Sequence, residues 1–105
     1  MNLFEGYLPR CGDEQTDILL ETADVRIERI VSTGQISPDG FWYDQDEDEW
    51  VAVLQGEAKL TTESETVTLK TGDRYFLPAG MRHRVDYTST DPACIWLCVF
   101  SGGQR

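Results

Sequence analysis

The chain has 105 residues, 40% of them hydrophobic, and a net charge of −10 that comes from 19 acidic against 9 basic residues. Its length predicts one domain with a single core, since domains usually have roughly 100–200 residues. The negative charge repels phosphate backbones and anionic lipids, which excludes nucleic acid and membranes as expected partners. Residues 1–6 lack a basic start and a long apolar run, so we expect no signal peptide, no membrane span and a cytoplasmic location.

The first third of the chain predicts a short helical turn followed by a strand. Residues 14–21 carry a small apolar patch at positions 18–20, which favours one helical turn. Residues 25–31 mix β-branched and charged side chains at a period near two, which predicts a strand that stops before Gly34. The same alternation places Arg29 on the inward face of that strand.

The rest of the chain predicts a series of short strands separated by turns that contain glycine, proline or polar residues. These strands lie at residues 50–54, 57–62, 66–70, 74–77, 83–87 and 93–100. Alternation within residues 83–87 places His83, Val85 and Tyr87 on one face. The last strand is continuously apolar, as expected where a strand is covered on both sides. The pattern therefore predicts an all-β domain whose strands close into a barrel or a two-sheet jelly roll.

The cysteines predict reduced thiols. Three of them, Cys11, Cys94 and Cys98, are an odd number in a chain without an export signal, which argues against a disulfide framework. Cys94 and Cys98 lie on one face of the last strand, about 13 Å apart by strand rise, and cannot bind one ion together. We expect them to act as small buried hydrophobic residues, although a reactive thiol is the alternative.

The segment around the single histidine resembles the second sequence motif of the cupin family. Gly72, Pro78, Gly80 and His83 have the spacing of that motif, although Tyr87 stands where the family has an asparagine. Upstream, Glu49 and Gly56 are similar to the closing half of the first cupin motif.

The opening half of the first motif is absent. Cupins have a His-x-His pair there, whereas this chain has Trp42 and Asp44, or Tyr43 and Gln45, at those positions. The resemblance implies a cupin-type double-stranded β-helix. We divide the chain into an N-terminal arm at 1–24, a cupin β-barrel at 25–100 and a C-terminal tail at 101–105.

Residues 44–49 contain five carboxylates in six positions. A calcium-binding EF-hand loop is excluded, because its sixth position needs glycine and its twelfth a glutamate, where this chain has Glu49 and Gln55. We expect Asp46, Glu47 and Asp48 to form a solvated acidic turn.

Glu49 is the exception in this segment, because alternation along the following strand turns it inward with Val51 and Val53. A carboxylate inside a barrel must find a metal, a cation or hydrogen-bond donors, or become protonated. One hypothesis is a divalent ion (Fe, Mn, Zn or Ni) held by His83, Glu49 and Asp44. The other is a partnership between Glu49 and Arg29. His83 then either forms a hydrogen bond inside the barrel or serves as an acid or base without metal.

The predicted function is the binding of a small polar metabolite in the barrel interior. His83, Glu49 and Tyr87 are the predicted catalytic residues, and Trp42 and Arg29 the predicted ligand-binding residues. The resemblance leaves two classes open: a metal-dependent oxygenase or isomerase, and a metal-free, non-catalytic binding or regulatory module. We also expect a homodimer, with assembly through the apolar N-terminal residues Leu3, Phe4, Tyr7 and Leu8 as one hypothesis.

Overall fold

The protein folds as two antiparallel β-sheets that face each other. A computed structural model describes residues 1–8 and 13–102; Cys11, predicted to be a reduced thiol, lies outside the described residues. Its strands are β1 (Gln15–Glu21), β2 (Val25–Ser32), β3 (Asp48–Gln55), β4 (Glu57–Thr62), β5 (Thr66–Lys70), β6 (Arg74–Leu77), β7 (His83–Thr88) and β8 (Cys94–Ser101). The five-stranded sheet has the order β1-β2-β8-β3-β6, and the three-stranded sheet has the order β5-β4-β7. The all-β prediction is confirmed.

The prediction of a helical turn at residues 14–21 is wrong. This segment forms β1, which pairs antiparallel with β2 along its length and has an irregularity between Ile18 and Leu20. Ile18 and Leu20 are 58% and 49% exposed, because β1 is the outer strand of the sheet. Backbone pairing with β2 therefore decides the structure here, and the apolar patch does not act as a helix face.

The main core lies between the two sheets. It is built from residues that alternate inward along the strands, among them Val51, Val53, Leu60, Leu77 and Trp96. Cys94 and Cys98 belong to this core as free, buried thiols. A smaller cluster on the other side of the five-stranded sheet joins Val31, Ala93 and Ile95 to Tyr7 of the N-terminal segment.

Tight turns link the strands where the sequence predicted them. Gly72 and Gly80 adopt positive φ angles of 92° and 81°, which only glycine takes at low cost. Between β3 and β4, Gly56 has a φ of 83° and packs against the chain near β8. No helix in the described part of the chain is long and apolar enough to cross a membrane.

We predict that Gly56→Ala destabilises the protein by about 1–3 kcal/mol more than Gly72→Ala. A Cβ at position 56 would meet the Ser89 side chain, with the Ala93 carbonyl oxygen at 2.8 Å and the Cys94 Cα at 3.0 Å. A Cβ at position 72 would meet nothing within 4 Å, so that variant suffers only the backbone strain, about 1–2 kcal/mol. Urea denaturation of both variants measures the difference, and equal losses would contradict the packing argument.

Candidate functional site

A pocket with a volume of about 370 Å³ opens between the two sheets. This volume lies at the small end of ligand sites, which have roughly 300–1,000 Å³. Most of its wall is apolar, formed by side chains such as Ile30, Val51, Leu60, Val85, Trp96 and Phe100. Its size and its walls suit a small organic molecule.

Polar groups converge at one position in this pocket. Glu49 of β3 and His83 of β7 are 7% and 4% exposed, and His83 Nε2 lies 3.6 Å from Glu49 Oε1. Gln45 Nε2 donates a hydrogen bond of 2.7 Å to the same Glu49 oxygen. Because β3 and β7 belong to different sheets, the site exists only where the two sheets meet.

Backbone hydrogen bonds hold the loop before β3 against the start of β7. The Tyr43 and His83 backbones exchange two hydrogen bonds, of 2.7 Å and 3.1 Å, and the Gly80 N–H donates to the Gln45 carbonyl at 2.9 Å. The Tyr43 ring stacks on the His83 ring with centroids 5.2 Å apart. Tyr43 therefore covers the imidazole, and Gln45 reaches Glu49.

The tautomer of His83 follows from its neighbours. His83 Nδ1 lies 3.2 Å from the Met81 carbonyl oxygen, which can only accept a hydrogen bond. In the neutral imidazole, Nδ1 therefore carries the proton and Nε2 keeps its lone pair. Nε2 is the nitrogen that faces Glu49, so an available base points into the pocket.

Burial changes the acidity of both groups, in opposite directions. Burial raises the pKa of Glu49 to about 7, against the hydrogen bonds from Gln45 and Cys98, which favour the carboxylate. Burial also lowers the pKa of His83, opposed by its bond to Met81. Burial, and then the nearby Glu49 charge, raise the pKa of the Cys98 thiol. At neutral pH, the site therefore holds a partly protonated carboxyl beside a neutral imidazole, with an unreactive thiol behind them.

The structure places Arg29 outside the pocket, so the predicted pair with Glu49 does not form. Arg29 is fully buried on the other face of β2, where its Nη2 lies 2.6 Å from Asp17. Its Nη1 donates to the Glu5 carbonyl oxygen at 2.6 Å. The inward positions of β2 are Glu28 and Ile30, which line the pocket. The prediction that Arg29 faces inward is therefore wrong: β2 alternates as expected, but Arg29 lies on the opposite face. The N-terminal segment buries that outer face as well, which the sequence pattern could not show.

The prediction that Tyr87 shares a face with His83 and Val85 is wrong as well. Between β4 and β7, Lys59 pairs with Tyr87 while the next residue, Leu60, pairs with Val85. Asp86 is the extra residue of this β-bulge, which reverses the alternation after Val85. Tyr87 is consequently 42% exposed and is not among the residues that line the pocket.

Neither Trp42 nor Asp44 lines the pocket; Tyr43 and Gln45 do. Trp42 lies outside, with the Arg82 guanidinium 5.4 Å from its ring centroid, and Asp44 is exposed. The sequence left two registers open for this segment, and the geometry selects the second. Of the acidic turn, Asp46 is exposed as predicted, whereas Glu47 pairs with Arg26 and Asp48 accepts the Ala79 N–H.

Comparison with known proteins identifies the fold family. The family model described as "Cupin domain" matches residues 30–100. The chain belongs to the cupin family. No curated protein sequence gives a significant match.

Solved structures agree with this cupin assignment. A protein from Ralstonia eutropha JMP134, provisionally described as a mannose-6-phosphate isomerase, is 41% identical, with a TM-score of 0.92 and 96% and 95% of the two chains covered. KdgF from Halomonas sp. is 20% identical, with a TM-score of 0.77 and coverage of 100% and 94%. An RmlC-like cupin with a double-stranded β-helix fold from Methanocaldococcus jannaschii is 18% identical, with a TM-score of 0.72 and coverage of 93% and 88%. The last two show the fold alone.

The donor set of this cupin does not fit the divalent ion that the family resemblance implied. Protein metal sites commonly use three or more side-chain ligands. Across residues 1–8 and 13–102, no group of three or more His, Cys, Asp or Glu side chains is placed to hold a metal ion. Asp44, the third predicted ligand, does not join Glu49 and His83. Tyr43 and Gln45 occupy the remaining positions beside the pair, and Gln45 presents an amide donor to the carboxylate.

We predict that purified protein holds substoichiometric iron, manganese, zinc and nickel, and that Tyr43→His/Gln45→His gains metal binding. The double variant would place two imidazoles beside Glu49 and His83, which completes a four-ligand set of the kind transition metals prefer. Elemental analysis after dialysis against each metal measures this. Adding His83→Ala to the double variant should remove the gained metal, and near-equimolar metal in the unaltered protein would contradict the prediction.

We also predict that the buried Glu49 makes stability fall as pH rises from about 4.5 to 7. The folded protein keeps the Glu49 proton up to about pH 7, whereas the ordinary pKa is 4.5, so folding takes up a proton between these values. At about 1.4 kcal/mol per pKa unit, the loss is on the order of 3 kcal/mol. Glu49→Gln lacks this proton uptake.

The measurement is the unfolding free energy of the native protein and of Glu49→Gln by urea denaturation at several pH values between 4.5 and 8. The lowered pKa of His83 acts in the opposite sense, destabilising the fold as pH falls, but His83 is present in both proteins. The native protein should therefore lose stability relative to Glu49→Gln as pH rises. Parallel pH profiles would show that Glu49 titrates normally.

Proposed function

We propose that this cupin binds a small hydroxy-carbonyl metabolite in its interior pocket and isomerises it by proton transfer, without a metal. The observation that carries the proposal is the Glu49–His83 pair, 3.6 Å apart in a pocket with apolar walls. Its two members have pKa values shifted in opposite directions by burial. Environments that push a pair of titratable groups toward a neutral acid and a neutral base are typical of acid–base sites.

The roles of the two groups follow from their protonation. His83 Nε2 accepts the proton from the carbon beside the ligand carbonyl, and the electron pair of that C–H bond forms the C=C bond of an enediol. The protonated Glu49 carboxyl donates its proton to the carbonyl oxygen. The imidazolium then gives its proton to the former carbonyl carbon of the enediol. The Glu49 carboxylate takes the proton of the hydroxyl on the carbon that was first deprotonated, which becomes the new carbonyl. The sequence restores both groups and needs no oxidant.

The surrounding residues support these transfers. The Gln45 hydrogen bond fixes the orientation of Glu49, and the Met81 carbonyl fixes the tautomer of His83. The apolar walls limit competing water around the enediol. An isomerase therefore fits this site better than an oxygenase, which would need a means of activating dioxygen.

The test follows deuterium uptake from D₂O at the carbon beside the carbonyl of dihydroxyacetone and of mannose, by NMR. We expect enzyme-dependent exchange that Glu49→Gln and His83→Gln each reduce by roughly 10²–10⁴-fold. Tyr75→Phe is the matched control, because the Tyr75 hydroxyl bonds to Glu65 and Tyr75 does not line the pocket. Full exchange in both site variants would refute the proposal.

A second candidate is a non-catalytic binding or regulatory cupin. The short Gln45–Glu49 hydrogen bond favours it, because a protein amide already occupies the carboxylate oxygen that faces His83. Binding of the same sugars without any exchange would select this alternative. The homodimer stays a prediction, which mass measurement in solution with and without residues 1–8 would test.

A further inference from the structure

The charged residues that line the pocket are all acidic among the described residues. Four carboxylates, Asp13, Glu14, Glu28 and Glu49, line it, and no lysine or arginine does so among residues 1–8 and 13–102. Asp13 and Glu14 are exposed at the entrance, while Glu49 is buried inside. A ligand therefore meets the carboxylates of Asp13, Glu14 and Glu28 along the pocket wall, and reaches the partly protonated carboxyl of Glu49 only at its final position.

The arginines close to the pocket are already engaged. Arg26 bonds to Glu28 at 2.6 Å and also to both carboxylate oxygens of Glu47, so its charge is shared between two anions. All three nitrogens of Arg84 donate, to Asp86 and to the carbonyl oxygens of Ser37, Pro38 and Phe41. Neither Arg26 nor Arg84 is among the residues that line the pocket.

A phosphate would be poorly accommodated by this arrangement. Proteins bind phosphates through arginine, lysine, helix N-termini or loops of converging backbone N–H groups. Residues 1–8 and 13–102 contain no helix. The polar end of the pocket presents a carboxyl, an imidazole lone pair and an amide that is hydrogen-bonded to the carboxyl. A dianion would be repelled by the lining carboxylates, since charges in a cleft with low-dielectric walls interact strongly.

We infer that the ligand is an uncharged hydroxy-carbonyl compound, and that the acidic lining excludes its phosphorylated counterpart. The hydroxy-carbonyl part of this inference rests on the proposed function. The preference for an uncharged over a phosphorylated ligand rests on the carboxylates that line the pocket. The inferred ligand therefore differs from the sugar phosphate named in the description of the Ralstonia protein. The apolar wall receives the carbon skeleton, and Glu49 and His83 contact the carbonyl and the neighbouring C–H.

The experiment compares two matched pairs of probes, mannose with mannose 6-phosphate and dihydroxyacetone with its phosphate. NMR titration at pH 8 and low salt follows the indole N–H of Trp96, which lines the pocket, and the His83 ring. We expect each phosphorylated probe to bind at least tenfold more weakly than its neutral counterpart. This difference in affinity should become smaller at high salt, because salt screens the charges.

Charge variants test the cause. Glu14→Gln/Glu28→Gln should narrow the gap between neutral and phosphorylated probes by raising the affinity for the phosphates. Glu21→Gln/Glu63→Gln makes the same change in net charge at residues that do not line the pocket, and should leave the gap nearly unchanged. Arg10 lies outside the described residues, and Arg10→Gln is added to measure its contribution directly.

The outcomes separate the two proposals. Equal or tighter binding of the phosphates would overturn the inference about ligand charge while leaving a pocket that binds hydroxy-carbonyl compounds. Selective binding of neutral probes without deuterium exchange would support the inference and refute isomerisation. Pocket signals unmoved by all four probes would overturn both.

Discussion

The site depends on one constraint, the burial of the Glu49 carboxyl in an apolar interior. Burial raises the pKa of this carboxyl to about 7, because the charged form loses its hydration. The protein offsets part of this cost with donors from Gln45 and Cys98 and places the neutral His83 imidazole beside it. The raised pKa follows from a carboxyl that the fold turns inward on β3, and the proposed acid–base role rests on it.

Tertiary contacts between the two sheets bring the buried Glu49 next to His83. Glu49 belongs to the five-stranded sheet and His83 to the three-stranded sheet, so their approach is set by the packing of the two layers. The Tyr43–His83 backbone pair joins the preceding loop to β7, and Arg84 fastens the same loop through three carbonyl oxygens. This loop supplies Tyr43 and Gln45, the two residues that complete the polar end of the pocket.

The cupin fold is retained, while two residues at its centre differ from the family motif. Tyr43 and Gln45 stand where the family motif has its histidine pair, and both lie beside Glu49 and His83 in the pocket. A phenol and an amide are weaker ligands for transition metals than two imidazoles. In this structure they stack on a histidine and donate to a carboxylate instead. These four residues are the ones to which we assign the proposed acid–base role.

The sequence by itself determined the strands from residue 25 onward, the turns at Gly72 and Gly80, and the inward direction of Glu49, because alternation and glycine conformation are local properties. Only the tertiary structure decided the rest. Residues 14–21 became a strand through pairing with β2, and a bulge at Asp86 turned Tyr87 outward. Arg29 was buried beneath an N-terminal segment 24 positions away in the chain. Each of these outcomes depends on which distant segments pack together, and local periodicity carries no information about that.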